Sequence, residues 1–225
     1  SSIGNFQGTS DFDPGAGVYN LNSMGNSDIY VSNLDSSGGY NFAGAFGSSS
    51  VLADAGYAIA TDLKGNVYTT GIFRSTVDFD PGPGIYNLMS SGDNDGFILK
   101  LDSIGNFNWA LKIGSTNSDQ AKSLSFDKSD HLYLVGNYMS TLVAFGSSTI
   151  TNTVSGGSTA DIFIAKLDSG INTTAIPSYL SGSSFIIYPN PVNDKMWIWP
   201  VTATDGKYAI TITDITGKII LTVSP

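Results

Sequence analysis

The chain has 225 residues, 41% of them hydrophobic, so it can bury a core as one large domain or two small ones. The formal net charge is −9 and only ten Lys and Arg residues are scattered along the chain, which argues against nucleic acid as a partner. The absence of cysteine excludes disulfides, thiolate metal sites and cysteine catalysis, and no apolar run approaches the roughly 20 residues that span a bilayer.

An internal repeat organises the first part of the chain. Residues 4–47 align without a gap on residues 71–114, at an offset of 67, and about half of the aligned pairs are identical. Two shorter strips also return, residues 28–35 at 95–102 and 161–168, and residues 62–68 at 127–133. A fixed period of this kind predicts an array of similar supersecondary units.

The repeated segments read as β-strands. Short runs rich in aromatic and β-branched residues, punctuated by Gly, Asn, Asp and Pro, predict strands over residues 57–62, 67–73, 97–102 and 107–113. Residues 96–101 are apolar on both faces except at Lys100, as expected for a small sheet packed between two others. We therefore predict an all-β fold in which each unit is one blade-like sheet.

The motifs within each unit carry a family resemblance. Gly-Asn-Val-Tyr-Thr-Thr-Gly at residues 65–71, Asp-Phe-Asp-Pro at 78–81 and the strand at 95–101 resemble the seven-bladed β-propeller repeat family of bacterial surface and secreted proteins. The resemblance implies about two and a half β-propeller-like blades over residues 1–168. A closed ring needs roughly four or more blades. We therefore expect a piece of a longer propeller, or closure with other copies. Ala-Phe-Gly at 144–146 replaces Asp-Phe-Asp in the third unit.

The pattern changes after Asp168. Residues 169–184 are small, polar and broken by Gly and Pro, which predicts a linker, and the alternating strands of residues 185–225 predict a small, partial Ig-like β-sandwich. The sequence marks of this segment are Tyr188, Pro189, Asn190, Pro191 and Asp194, followed by Asp214, Gly217 and Lys218.

These marks closely resemble the C-terminal sorting domain of type IX secretion substrates. The resemblance implies the type IX secretion machinery as a partner, and a location outside a Gram-negative bacterium, secreted or on the outer cell surface. The domain is expected to be truncated at Pro225. The alternative is an ordinary Ig-like module without a sorting role.

Paired carboxylates are the candidate metal ligands. Hard oxygen ligands could contribute to a calcium site, and the candidates are Asp11, Asp13, Asp78, Asp80, Asp93 and Asp95. The favoured alternative is an Asx-type turn, in which a side-chain oxygen accepts nearby backbone N–H groups. No Glu follows the Asp93–Asp95 segment at the distance that a calcium loop needs. We expect no cofactor, with calcium as the one candidate.

Asp28, Asp95 and Asp161 precede the same strand of successive units. We predict a turn or strand-entry role for them, in which the carboxylates bond backbone donors in the loop. A ring of carboxylates around a central channel is the alternative.

Catalytic groups are sparse. His131 is the only histidine and aligns with the turn residue Asn66, and no Gly-x-Ser-x-Gly elbow marks a nucleophile. We therefore predict no enzyme activity in this chain. Trp109 and the other strand aromatics are assigned to the core between blades rather than to sugar-stacking platforms. Trp197 and Trp199 are assigned to the sandwich core.

The predicted function is binding, as an adhesion or scaffold module with an unknown surface glycan or protein ligand. The rival hypothesis is the non-catalytic part of an extracellular enzyme that degrades polysaccharide or peptide. A third is a structural spacer that holds another domain away from the surface.

Overall fold

The computed structural model describes residues 1–145, 148–152, 159–167, 185–188, 197–200, 210–213 and 219–223. Every regular element in these ranges is a β-strand. The chain divides into two compact units, Ser1–Pro177 and Ser178–Pro225. The fold class is all-β, as the sequence predicted.

The first compact unit is made of short strands. In chain order they are β1 (Ser2–Phe6), β2 (Thr9–Asp11), β3 (Asn20–Asn22), β4 (Asp28–Leu34), β5 (Tyr40–Phe46), β6 (Ala55–Thr61), β7 (Val67–Phe73), β8 (Thr76–Asp78), β9 (Asn87–Met89), β10 (Asp95–Leu101), β11 (Phe107–Gly114), β12 (Asp119–Phe126), β13 (Leu132–Tyr138), β14 (Leu142–Phe145), β15 (Ser148–Thr151) and β16 (Asp161–Leu167). The four predicted strands correspond to β6, β7, β10 and β11, with ends that differ by two residues at most.

Three antiparallel sheets correspond to the three sequence repeats. The first repeat forms the sheet β1-β4-β5, the second contributes β6-β7-β10-β11, and the third forms β12-β13-β16. Strands that occupy the same place in different sheets come from aligned sequence. The described strands therefore make about two and a half propeller-like blades.

Each repeat also carries a short hairpin, formed by β2–β3, β8–β9 and β14–β15. The third hairpin extends the sheet of the preceding repeat, because β14 pairs with β11 through Ile113↔Phe145 and Gly114↔Ala144. The second hairpin places Phe79 against Phe46 of the first repeat. The hairpins therefore connect neighbouring repeats, which the sequence did not predict.

The core lies between the sheets. Phe97, Leu99 and Leu101 of β10 face a cluster shared with the first repeat, whereas Ile98 faces a second cluster shared with the third repeat. All four side chains are at most 1% exposed. Side chains alternate across a strand, so a strand that is apolar on both faces needs a neighbouring sheet on each side. The predicted two-sided burial is confirmed.

One aspartate-centred turn closes four hairpins at the same end of the sheets. It begins at Asp35, Asp62, Asp102 and Asp127. In each turn, aspartate Oδ1 accepts the backbone N–H groups of the second and fourth following residues. The third following residue has a positive φ and is Gly38, Gly65, Gly105 or Asp130. We call this edge the turn end.

The second compact unit contains two described hairpins. β17 (Phe185–Tyr188) pairs with β18 (Trp197–Pro200), and β19 (Ile210–Thr213) pairs with β20 (Ile219–Val223). The predicted linker, residues 169–184, lies outside the described residues.

Candidate binding pocket between the first and second repeats

Buried carboxylates recur where one sheet passes to the next, at the end opposite the turn end. Asp28 and Asp54 are 1% and 0% exposed, and their counterparts Asp95 and Asp119 are both 0% exposed. Burying a carboxylate is costly unless it is hydrogen-bonded or paired. The partners of these four groups therefore define the chemistry of the junctions.

Asp54 and Asp119 connect three chain segments each. Asp54 accepts the N–H of Ser48 at 2.9 Å and the N–H of Arg74 at 2.7 Å, so it joins two loops that are distant in sequence. Asp119 accepts the N–H of Ser115 at 2.8 Å and the hydroxyl of Ser140 at 2.6 Å. These aspartates therefore hold together the loops that connect adjacent sheets. Sequence reasoning missed them, although their recurrence at an offset of 65 was a usable signal.

Asp28 and Asp95 are the first residues of β4 and β10, and each carboxylate accepts a backbone N–H group of the loop that precedes its strand. Asp28 Oδ2 accepts the Met24 N–H at 2.6 Å, and Asp95 Oδ2 accepts the Ser91 N–H at 2.7 Å. This is the role that the sequence predicted for them. The other oxygen of each carboxylate, Oδ1, is buried and meets no hydrogen-bond donor among the described residues.

Burial dominates the titration of this region. It raises the pKa of Asp54 and of Asp95, while the backbone N–H groups that they accept act in the opposite direction. Lys112 also lowers the pKa of Asp95, whereas the neighbouring carboxylates, Asp28 beside Asp54 and Asp119 beside Asp95, raise the two pKa values. Each junction therefore holds two acids where water is largely excluded.

The two junctions differ in one cation. The Lys112 Nζ lies 3.4 Å from Asp95 Oδ2 and also contacts the Ser91 hydroxyl. The aligned position in the first repeat is Ala45, and Asp28 has no ammonium partner among the described residues.

A pocket of about 370 Å³ opens beside Asp28. It is lined by Asn22, Met24, Asp28, Ala45, Gly47, Ser48, Ser49, Thr76, Asp78, Asp80, Pro81 and Asn87. The lining includes three carboxylates and no Lys, Arg or His. The second-repeat hairpin closes one side of the pocket and the loops of the first repeat close the other.

The predicted calcium ligands lie in turns. Asp11 Oδ1 accepts the N–H groups of Asp13 and Tyr19, and Asp78 Oδ1 accepts those of Asp80 and Tyr86. These are the hydrogen bonds of the favoured Asx turn. Asp93 is an exposed partner of Arg74 Nε, at 3.8 Å. In the described part of the chain, no three His, Asp or Glu side chains are grouped so that they could hold a metal ion.

His131 and Trp109 occupy the structural positions predicted for them. His131 Nδ1 lies 2.9 Å from Asp127 Oδ2. The equivalent contact one repeat earlier joins Asn66 Nδ2 to Asp62 Oδ2 at 2.7 Å. Trp109 is 2% exposed and belongs to the core between the second and third repeats.

Of the predicted sorting residues, only Tyr188 lies in the described ranges, at the end of β17. Pro189, Asn190, Pro191, Asp194, Asp214, Gly217 and Lys218 lie outside them, and the side chains of Trp197 and Trp199 are likewise not described. Among the described residues there is no helix with the length and apolarity that a membrane crossing requires.

The structure thus defines the class: an all-β protein of stacked, repeated sheets followed by a separate C-terminal unit. Residues 186–224 of that unit match the family of the secretion system C-terminal sorting domain. The protein is therefore secreted or displayed on the outer surface of a Gram-negative bacterium by type IX secretion, and the match implies that this domain interacts with the type IX machinery.

Two curated proteins are similar to part of the chain. An uncharacterized WD repeat-containing protein of Acanthamoeba polyphaga mimivirus is 31% identical over 108 residues, which cover 42% of this chain and 8% of that protein. The regulatory protein FlaEY of Caulobacter vibrioides (strain ATCC 19089 / CIP 103742 / CB 15) is 27% identical over 118 residues, which cover 52% of this chain and 12% of that protein. The chain therefore spans a small part of either relative.

Proposed function

We propose that this protein works outside the cell as a binding module, for adhesion or as a scaffold, and not as an enzyme. The observation that carries the proposal is the combination of a sorting domain with repeated sheets that stack through two buried apolar clusters. Stacked repeats hold their loops on a rigid support, and such loops are well suited to contact a partner.

We further propose that the repeats are blades of a closed β-propeller. The order of strands within each sheet supports this, as does the similarity to a protein whose name records WD repeats. The exposed side chains Ile162 and Ile164 on β16, each 74% exposed, offer an apolar face to a further blade.

The turn end is the candidate contact surface. Two of its turns carry the apolar side chains of Leu63 and Ile104, which are 84% and 71% exposed. These turns share one edge, because Val67, which follows the first turn, pairs with Leu101, which precedes the second. The hairpin tips add Val18 and Ile85, 70% and 77% exposed, next to Tyr19 and Tyr86, whose rings pack on Tyr40 and Phe107 at the starts of β5 and β11. Exposed apolar groups that recur on one edge favour a binding surface.

The groups that could serve catalysis have structural partners. His131, the only histidine of the chain, is held by Asp127 in a turn, and the junction acids Asp54 and Asp119 accept backbone N–H groups. These contacts support binding rather than turnover.

The test is an adhesion assay in which beads coated with the full chain are applied to glycan arrays and to cells from the habitat of the bacterium. The test variant replaces the four turn-end side chains with Ser (V18S/L63S/I85S/I104S). We expect it to weaken adhesion about tenfold or more, as the loss of several contact side chains does.

The matched control is V51S/L52S, which removes two exposed apolar side chains from the loop at the opposite end. It should adhere like the unmodified chain. Beads that bind no better than uncoated ones, or an equal loss in both variants, would overturn the proposal. Turnover of a polysaccharide or peptide by the purified chain would overturn the proposal that the chain is not an enzyme.

A further inference from the structure

We infer that the pocket beside Asp28 binds a primary alkylammonium group, of a free amine or of a lysine side chain. The inference goes beyond the proposed adhesion, because it names the ligand chemistry of a pocket at the end opposite the turn end. It follows from a comparison of two junctions that share one backbone plan.

The second junction shows what an aspartate at this position binds. There the chain supplies its own ammonium, since Lys112 reaches Asp95 Oδ2 at 3.4 Å. At the first junction Ala45 takes the place of Lys112, and the pocket opens at that place, lined by Ala45 and Asp28. An incoming alkylammonium group would restore the missing partner.

The Asp28 carboxylate is built to receive a charge from the pocket. It is 1% exposed, and its Oδ1 accepts no hydrogen bond within the described ranges. Gly47, which also lines the pocket, leaves room for this carboxylate, because a Cβ there would lie 2.0 Å from the Asp28 Cγ. An ammonium group brings three N–H donors and supplies the positively charged partner that a buried carboxylate needs.

The opposite wall adds two more negative charges. Asp78 and Asp80 line the pocket, and the residues aligned with them in the third repeat are Ala144 and Gly146. The hairpin beside Ala45 therefore carries two acids, whereas the aligned sequence of the repeat that follows Lys112 carries none. Such complementarity is the expected arrangement for a positively charged ligand.

The geometry favours an ammonium over a metal ion. The carboxylates of Asp28, Asp78 and Asp80 share one pocket, but they are not grouped for metal coordination in the described structure. The volume of about 370 Å³ lies within the range of roughly 300–1,000 Å³ found for small-ligand pockets. It has room for the alkyl chain as well as the charged head.

The test is a titration of the full chain, followed by NMR shifts, with n-butylammonium, with Nα-acetyl-lysine amide and with calcium chloride. We expect saturable binding of the two amines with a Kd of about 1 mM or tighter, weakened by added salt. A stronger response to the lysine derivative would identify a lysine side chain as the better ligand, and a stronger response to n-butylammonium a free amine. The Nε-acetylated lysine derivative has no charge and should not bind.

The variants separate the pocket from the turn chemistry. D78N/D80N keeps the side-chain oxygens that the turn needs, and should weaken amine binding about tenfold or more by removing two charges. D11N/D13N makes the same change in the aligned hairpin of the first repeat, outside the pocket, and should leave binding unchanged. A45K should abolish binding by filling the pocket with its own ammonium, whereas N41K on the same strand should not.

The inference is overturned if neither amine binds, if calcium binds in their place, or if both aspartate double variants weaken binding equally. Such a result would leave adhesion through the turn end standing, since that assay uses different variants. If amine binding persists while beads fail to adhere, the proposed adhesion is wrong and the pocket is retained.

Discussion

The Phe79 ring lies nearly parallel to the Phe46 ring, with centroids 6.0 Å apart and an interplanar angle of 18°. Phe79 comes from the hairpin of the second repeat and Phe46 from the closing strand of the first, so this contact joins two sheets. Phe79 also packs edge-on against Phe73, with centroids 5.4 Å apart. The hairpin therefore anchors one repeat to the previous one.

Phe79→Ala should destabilise the protein by about 3–5 kcal/mol, because it leaves a cavity in a fully buried cluster. Phe12→Ala is the matched change, since Phe12 is the aligned residue of the first hairpin and is only partly buried. It should cost clearly less. Urea unfolding monitored by tryptophan fluorescence measures both, and equal costs would contradict the anchoring role of the second hairpin.

Gly105 has a φ of 90° and faces the neighbouring repeat. A Cβ there would lie 2.5 Å from Phe42 Cγ, whereas Gly38, with a φ of 86°, has no atom within 4 Å of the same point. Gly38→Ala should cost about 1–2 kcal/mol for the left-handed backbone alone. Gly105→Ala should cost about 1–3 kcal/mol more, because it also crowds Phe42.

Thermal unfolding of the two variants checks this prediction. The difference between them reports on the contact between repeats, since the turn conformation is common to both. Identical losses would mean that the first and second repeats do not pack as described.

Asp95 should make stability fall as pH rises above about 4. Burial raises the pKa of Asp95 above its ordinary value of 3.8, so the folded protein holds a proton that the unfolded chain releases. This stabilising contribution is complete below the unfolded pKa and is lost as pH rises through the folded pKa. The slope is at most about 1.4 kcal/mol per pH unit for this group.

Asp95→Asn should flatten that slope, and a series of urea unfolding curves between pH 4 and 8 measures it. Asp11→Asn is the control. The N–H groups of Tyr19 and Asp13 lower the pKa of Asp11, so Asp11 changes the free energy of unfolding only in more acidic solution, below its ordinary pKa of 3.8. A slope that persists unchanged in Asp95→Asn would refute the assignment.

His131→Asn should preserve the last aspartate-centred turn, because Asn66 and Asn106 fill the same place in two other turns. The N–H and side chain of His131, together with the Ser129 N–H, lower the pKa of Asp127 to about 2. The substitution keeps the backbone donors but removes the imidazole. The Asp127 pKa should therefore rise and still stay below 3.8.

A carbon-detected NMR titration of the Asp127 carboxyl follows this change. The stabilisation from Asp127 is present above the unfolded pKa and is lost as pH falls toward about 2. The free energy of unfolding at neutral pH should change by no more than about 0.5 kcal/mol. A pKa that returns to the ordinary value would show that the backbone hydrogen bonds contribute nothing.

Local chemistry in the sequence was sufficient to predict the strands, the Asx turns at Asp11 and Asp78, the structural place of His131 and the two-sided burial of Phe97 to Leu101. These features depend on neighbours within a few residues, or on a two-residue alternation, and both are visible along the chain. The sorting domain was recognisable for the same reason, from a compact set of residues near Tyr188.

Only the tertiary structure decided what meets across the junctions. Asp28 and Asp54 come together because two sheets pack, and Phe79 finds Phe46 because a hairpin folds over the preceding repeat. The pocket depends on the absence of a side chain at Ala45, and an absence acquires meaning only when the surrounding walls are in place. Such contacts join residues that are distant in sequence, so no local propensity or period encodes them.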